Sequence, residues 1–254
     1  MREEQKQHLS LVNPSGFPFQ IAVAAHIRSL NTAWRVIRSE QPWRHPETGR
    51  DGYIDLVLEN GIASSQRLVV ECKKQRGDVR WYFLDPQAQT CDVSYLLTKC
   101  GAPNVFVDHG SFTPASHEAP FCMLPREDPS RRPTLEQLAD ELLQAVEALA
   151  LEELRSDPAP VFQYLPVVVT NAQLFICSAD PMSISLTTGE LPEDAAFDLV
   201  PFVRFRKTLW SGRATEAPDF HPRLQPHHSR ERTIIVVSAA SLRMLLSNAH
   251  FGRS

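Results

Sequence analysis

Two short apolar runs, each broken by an acid, constrain this chain more than anything else in it. Tyr53-Ile-Asp-Leu-Val-Leu-Glu59 is followed, after Asn60-Gly61, by Arg67-Leu-Val-Val-Glu-Cys-Lys73. Runs of this length, rich in Val, Leu and Ile and bounded by turn residues, read as strands. Asn-Gly between them signals a hairpin, although residues 62–66 leave room for a loop longer than two residues. Side chains alternate along a strand, so Glu71 and Lys73 share a face with Val69 while Cys72 points away. If the two strands pair, Asp55 reaches the same spot. A run as apolar as Leu68-Val69-Val70 belongs in the interior of a sheet, and an acid and a lysine at its end need a reason to be there.

The rest of the chain supplies elements for a mixed α/β sheet. Residues 1–16 form a polar lead-in closed by Asn13-Pro14-Ser15-Gly16, a turn signal. A helix is expected from Phe17 or Pro18, with Val23, Ile27, Leu30 and Trp34 on one stripe and Gln20 a turn earlier. Residues 35–39 read as a short strand and 41–52 as a loop. Residues 81–84 are an apolar segment, 87–97 are either helical or irregular, 104–107 form a strand, and 108–133 form a proline-rich loop. The clearest helix spans 134–155, with Thr134 and Gln137 as a capping box and Leu135, Leu138, Leu142, Val146 and Leu149 as its buried stripe. Residues 165–170 and 174–177 read as a hairpin about 171–173. Further strands are expected at 183–187, at 199–205, where Pro201 favours an edge, and at 233–237. Residues 213–230 read as a polar loop and 241–247 as a final helix. The division is a lead-in over 1–16, an α/β core over 17–160 and a β-rich portion over 161–254 that ends in a strand and helix.

Composition narrows the function classes. Hydrophobic residues make up 43% of the 254 and charged residues 22%, which suffices for a packed core. No apolar run approaches the roughly 20 residues of a membrane span. The charged start Met1–His8 lacks the apolar stretch of a secretory signal. Five cysteines at irregular spacing do not make a disulfide framework. A reduced, cytoplasmic protein is expected, with no membrane partner. The net charge of −4 argues against a protein that coats nucleic acid without specificity. It is compatible with a single positive cleft. The runs that could line one are Lys73-Lys74-Gln75-Arg76 with Arg80, Arg131-Arg132, Arg204-Phe205-Arg206-Lys207, and residues 221–232. Each on its own reads as a solvated face.

Two carboxylates and a lysine at one strand end can hold a divalent cation and a water beside a phosphodiester. The combination Asp55…Glu71-x-Lys73, behind a helix whose inward stripe carries Gln20, resembles the PD-(D/E)xK nuclease superfamily. Residues 17–85 carry the resemblance. It implies a restriction-endonuclease-like fold: a mixed sheet flanked by helices, here with additional C-terminal strands and a terminal helix. It also implies a Mg²⁺-dependent endonuclease, with Mn²⁺ as a substitute ion, acting on DNA in a bacterial restriction or antiviral defence system. A homodimer or a defence-system partner protein fits that setting. The implied metal ligands are Asp55, Glu71 and the backbone carbonyl of Cys72. Lys73 would handle the water or offset phosphate charge, and Gln20 would orient. The chain departs from the family pattern in two places: Ile54 stands where the name-giving proline is expected, and Gln20 stands where a helix carboxylate often lies. The alternative is a module that keeps the fold, has lost cutting, and binds nucleic acid or a partner protein. Beyond residue 85, Leu165–Ala172 resembles a segment of an uncharacterised bacterial nuclease-like group, a likeness to which no chemistry attaches.

Other clusters read as structural. Cys91, Cys100 and Cys122 with His109 and His117 lack the close cysteine pairs of structural zinc. His221, His227 and His228 read as loop histidines, and Trp81 and Tyr82 as core residues rather than base-stacking platforms.

Overall fold

The computed structural model describes residues 3–63, 65–77, 79–86, 89–99, 105–125, 132–153, 162–208 and 231–252. The lead-in contains a helix, α1 (Glu3–Val12), whose residues from Glu4 onward are exposed. Next comes α2 (Phe17–Ser29), with Pro18 in its first turn, where the missing N–H costs nothing. Its buried face is Gln20, Val23, Ala24 and Ile27, the first part of the expected stripe; Leu30 lies just past the helix end and Trp34 begins the strand that follows. The strands that follow are β1 (Trp34–Arg44), β2 (Asp51–Asn60), β3 (Gln66–Lys73), β4 (Arg80–Leu84), β5 (Thr90–Lys99), β6 (Val105–Ala119) and β7 (Phe121–Met123). Helix α3 (Thr134–Glu153) precedes β8 (Phe162–Thr170), β9 (Gln173–Cys177), β10 (Phe197–Val200), β11 (Phe202–Thr208) and β12 (Glu231–Ser238). Helix α4 (Leu242–Asn248) and β13 (His250–Gly252) close the chain.

Nine strands form a mixed sheet in the order β1-β2-β3-β8-β12-β11-β6-β13, with β5 antiparallel to both β6 and β8. Four more form a smaller sheet, β10-β9-β4-β7. In the large sheet β8 runs parallel to β3 on one side and to β12 on the other. Strands from before and after residue 160 therefore alternate within a single sheet. Helices cover both faces. Buried residues of α3 pack with Val57, Val69, Val168 and Val236, and with the inner face of the small sheet. Buried residues of α2 and α4 pack with Leu56, Leu58, Val70, Cys72, Val167 and Ile235 on the opposite face. Among the described residues no helix is long and apolar enough to cross a membrane.

Several local readings give way to pairing over distance. The expected loop over 41–52 is shorter, because β1 continues through Pro42 to Arg44. Proline is tolerated there because β1 is an edge strand. The segment 87–97 contributes β5, and 108–119 belongs to β6, whose backbone groups are claimed by β5, β11 and β13. The expected 165–177 hairpin is absent: β8 enters the large sheet and β9 the small one. Pro201 divides the expected 199–205 strand, so β10 and β11 also go to different sheets. Residues 183–187 hold a 3₁₀ turn end and turns rather than a strand. Gln137 Nε2 donates to the Arg132 carbonyl at 2.6 Å. The loop expected over 213–230 lies outside the described residues.

The β1–β2 turn is fastened to α3, which sets one wall of a cleft. Gly49, at φ 70°, makes the turn in the left-handed region that glycine adopts freely. His45 Nδ1 accepts the N–H groups of Glu47 and Thr48, each at 3.2 Å. Its Nε2 faces buried Glu147 at 3.3 Å. Arg50 pairs with Asp140 at 3.2 Å.

Candidate active site

The β2–β3 ladder runs from Glu59 opposite Arg67 to Leu56 opposite Val70, and stops one residue short of Asp55 and Glu71. A slip in side-chain alternation marks the same place. Leu56 and Leu58 face the α2 layer, whereas Ile54 and Val57 both face α3 with two residues between them instead of one. Asp55 sits in that slip. Its Oδ2 accepts the backbone N–H of Cys72 at 2.7 Å, so its carboxylate lies against the peptide between Glu71 and Lys73. The hairpin loop that sets this register is longer than two residues. Asn60 Oδ1 holds it by accepting the N–H groups of Ile62 at 2.9 Å and Ala63 at 3.3 Å.

Asp55 meets Cys72 and Gln20 directly, and Glu71 and Lys73 interact with it through charge. Glu71 continues the Val69 face and lines a cavity of about 250 Å³ with Trp43, Tyr53, Ile54, Leu138 and Glu141. Cys72 turns the other way and is buried in the α2 layer. Lys73 is half-buried, its backbone is paired with Thr170 in the sheet, and its side-chain charge acts on Asp55 and Glu71. Gln20, buried on α2, approaches from the opposite layer, where its Nε2 donates to the carbonyl of Asp55 at 3.4 Å.

One residue was not foreseen. The Gln20 amide also donates to Glu40 Oε1. Glu40 lies on β1 between Ser39, opposite Leu56, and Gln41, opposite Ile54, which is the level of Asp55. Its position fell within reach of an expected loop, and no sequence pattern marks a strand glutamate as facing a site across a β-ladder.

The electrostatics are those of like charges gathered with little compensation. Burial raises the Asp55 acid above its ordinary value; the Cys72 N–H pulls it back, and the charge of Glu40 pushes it up again. Glu71 is pushed up to about 7, first by burial and then by Asp55. Lys73 offsets part of this, while Glu141 and Glu40 add to it. The Cys72 thiol is driven strongly upward by burial and by the same two acids, so it is no nucleophile. Mg²⁺ is commonly held by one or two carboxylates, with waters and substrate phosphate completing its shell. Asp55 and Glu71 are donors of that kind, and a cation bound beside them would favour the charged forms that burial and neighbouring acids disfavour. Among the described residues, no group of three or more His, Cys, Asp or Glu side chains converges closely enough to hold a metal ion.

The other sequence candidates are absorbed into the fold. Arg204 is buried. Arg206 pairs with Glu118 at 2.6 Å, Lys207 with Glu136 at 2.8 Å and Arg132 with Asp140 at 3.6 Å. Lys74 donates to the Asn13 carbonyl. Cys91 lies 3.4 Å from Glu118, Cys122 is buried, and His117 pairs with buried Asp85 at 2.9 Å. Trp81 is core, whereas Tyr82 stacks on Phe175 with ring centroids 5.8 Å apart. Arg131, Cys100, the His109 side chain, His221, His227 and His228 lie outside the described residues. No family model, curated protein or solved structure matches this chain.

Proposed function

We propose that this protein is a metal-dependent nuclease that hydrolyses phosphodiester bonds of DNA, built on a restriction-endonuclease-like sheet. One observation carries the reading: the Asp55 carboxylate lies on the peptide that joins Glu71 to Cys72, with Lys73 next along the strand. Asp55 and Glu71, with the Cys72 carbonyl, would hold Mg²⁺ or Mn²⁺. Such an ion, when bound, polarises a phosphate and lowers the pKa of a bound water. Lys73, whose charge partly offsets those of Asp55 and Glu71, could meet phosphate charge or orient the attacking water. Gln20 steadies the backbone of Asp55 and adds no charge. Burial and the charge of Asp55 raise the Glu71 acid to about 7, so cation binding there would be coupled to loss of its proton. Any place in a restriction or antiviral system rests on fold analogy alone.

The test is cleavage of plasmid and oligonucleotide DNA with Mg²⁺ or Mn²⁺. Asp55→Ala and Lys73→Ala should each slow cutting by about 100-fold or more. Cleavage that survives both substitutions unchanged rules the reading out.

A second reading, a nuclease-fold module that binds without cutting, is favoured by the neutral Gln20 and by the lack of a third converging donor among the described residues. Salt-sensitive retention of DNA with no cleavage in either metal would select it.

A further inference from the structure

We propose that Glu40 is a positioning residue for Asp55, acting through Gln20. The proposal rests on the site described above and goes beyond it by adding a third, strand-borne member. A glutamine amide presents one donating and one accepting end, and either can face a neighbouring carbonyl. The Asp55 carbonyl needs the donating end. Glu40 decides the matter: a carboxylate accepts only, so its bond to Gln20 Nε2 turns the NH₂ group toward the strands. The second N–H then falls to Asp55 O at 3.4 Å. An amide turned the other way would set its oxygen against two acceptors at once.

The backbone shows what this arrangement holds in place. Among the described residues, Glu40 is the one non-glycine in the left-handed region, at φ 52°, a strained conformation that persists only where surroundings enforce it. It lies across the β1–β2 ladder from the slip at Asp55, between the pairs Ser39–Leu56 and Gln41–Ile54. Two irregularities thus face each other, and the buried Gln20 side chain bridges them. With the Asp55 backbone held, its carboxylate stays on the Cys72 N–H, 2.7 Å away, beside Glu71 and Lys73. This is the outer-shell logic by which a metal ligand or catalytic acid is aimed by groups that never touch substrate.

Amide hydrogen exchange tests the proposal directly, because the Cys72 N–H reports the Asp55 contact whether or not DNA is cut. In Glu40→Ala, Cys72 exchange should quicken by about 10-fold, while the Val168 and Val236 amides of the same sheet keep their rates. Gln20→Ala should give the same acceleration, and the double variant no more than either single one, as for members of one chain of contacts. Glu40→Gln, which retains an accepting oxygen, should recover most of the protection. In the cleavage assay Glu40→Ala should lower kcat by about 10-fold and leave KM unchanged. Unaltered Cys72 exchange in Glu40→Ala, or single effects that multiply in the double variant, would overturn the assignment. Wild-type protein that cuts nothing would instead remove the nuclease reading, with the exchange result still deciding the role of Glu40.

Discussion

The β2–β3 hairpin gathers charge at both ends and treats it in opposite ways. At the turn end, signs alternate. Arg67 pairs with Glu59 at 3.0 Å and approaches Glu153 at 3.9 Å; Arg38 reaches Glu153 at 3.4 Å, and the Tyr164 hydroxyl donates to the same carboxylate. At the open end, Asp55, Glu71 and Glu40 repel one another, and Lys73 is the cation set against them. The two ends share strands, core and burial, so the difference lies in the arrangement of charge. A closed network of alternating sign has its partners already and serves the fold. Like charges held together against their own repulsion are an arrangement common at functional sites, and the proposed metal site builds on it. Arg204 makes the same point for a single buried charge. Its guanidinium donates to Ser116 Oγ at 2.7 Å, Ser94 Oγ at 3.3 Å, and the carbonyls of Asp92 at 3.4 Å, Pro114 at 3.2 Å and Phe112. Burial lowers its pKa to about 10, well clear of neutrality. It is satisfied, and it serves the fold.

The contrast can be broken most sharply at Arg67. Arg67→Ala leaves Glu59 and Glu153 facing each other without their shared cation, and should cost about 3–5 kcal/mol in urea denaturation. Should the loss match that of an exposed pair, the turn end is not the closed network described. A smaller effect of opposite sense is expected at the open end. The Glu71 acid is raised in the folded chain from 4.5 to about 7. Between those values the folded state holds a proton that the unfolded chain has released, so stability falls as pH rises from about 4.5 to 7 and then levels. Glu71→Gln should flatten that slope, be more stable than wild type at pH 8 without divalent cation, and lose the advantage below about pH 4.5. Thermal denaturation across pH checks it, and a wild-type curve flat over this interval would count against the repulsion. The smallest effect sharpens the comparison at one residue. Glu59 also pairs with Arg35 at 3.3 Å, but Arg35 is 65% exposed, so Arg35→Ala should shift stability by less than about 1 kcal/mol. A loss near that of Arg67→Ala would show that burial is not what separates the two partners.

Much of this was legible in the residues themselves. The α2 stripe, α3, β2, β3, β12 and α4 follow from periodicity and turn chemistry, which act within a few residues of the chain. Asp55, Glu71, Lys73 and Gln20 could be singled out because polar groups in apolar strands, or on the buried stripe of a helix, stand out against that pattern. The same rules misplaced 108–119, 165–177 and 199–205, where local signals pointed to loops, a hairpin and a single strand. Proline and polar composition describe what a segment prefers alone. Partners elsewhere in the chain settled each case: β5 for β6, β3 for β8, β4 for β9.

Sequence alone therefore singled out Asp55, Glu71, Lys73 and Gln20 and the short elements that hold them, since alternation on a strand and the spacing of a helix stripe are properties of local backbone geometry. Only the tertiary structure decided that β2 and β3 part at Asp55, that Glu71 and Gln20 reach it from opposite layers, and that Glu40 completes the group. Those are interactions between residues 16 to 35 positions apart, produced by the packing of two helical layers on one sheet, and no local rule encodes them.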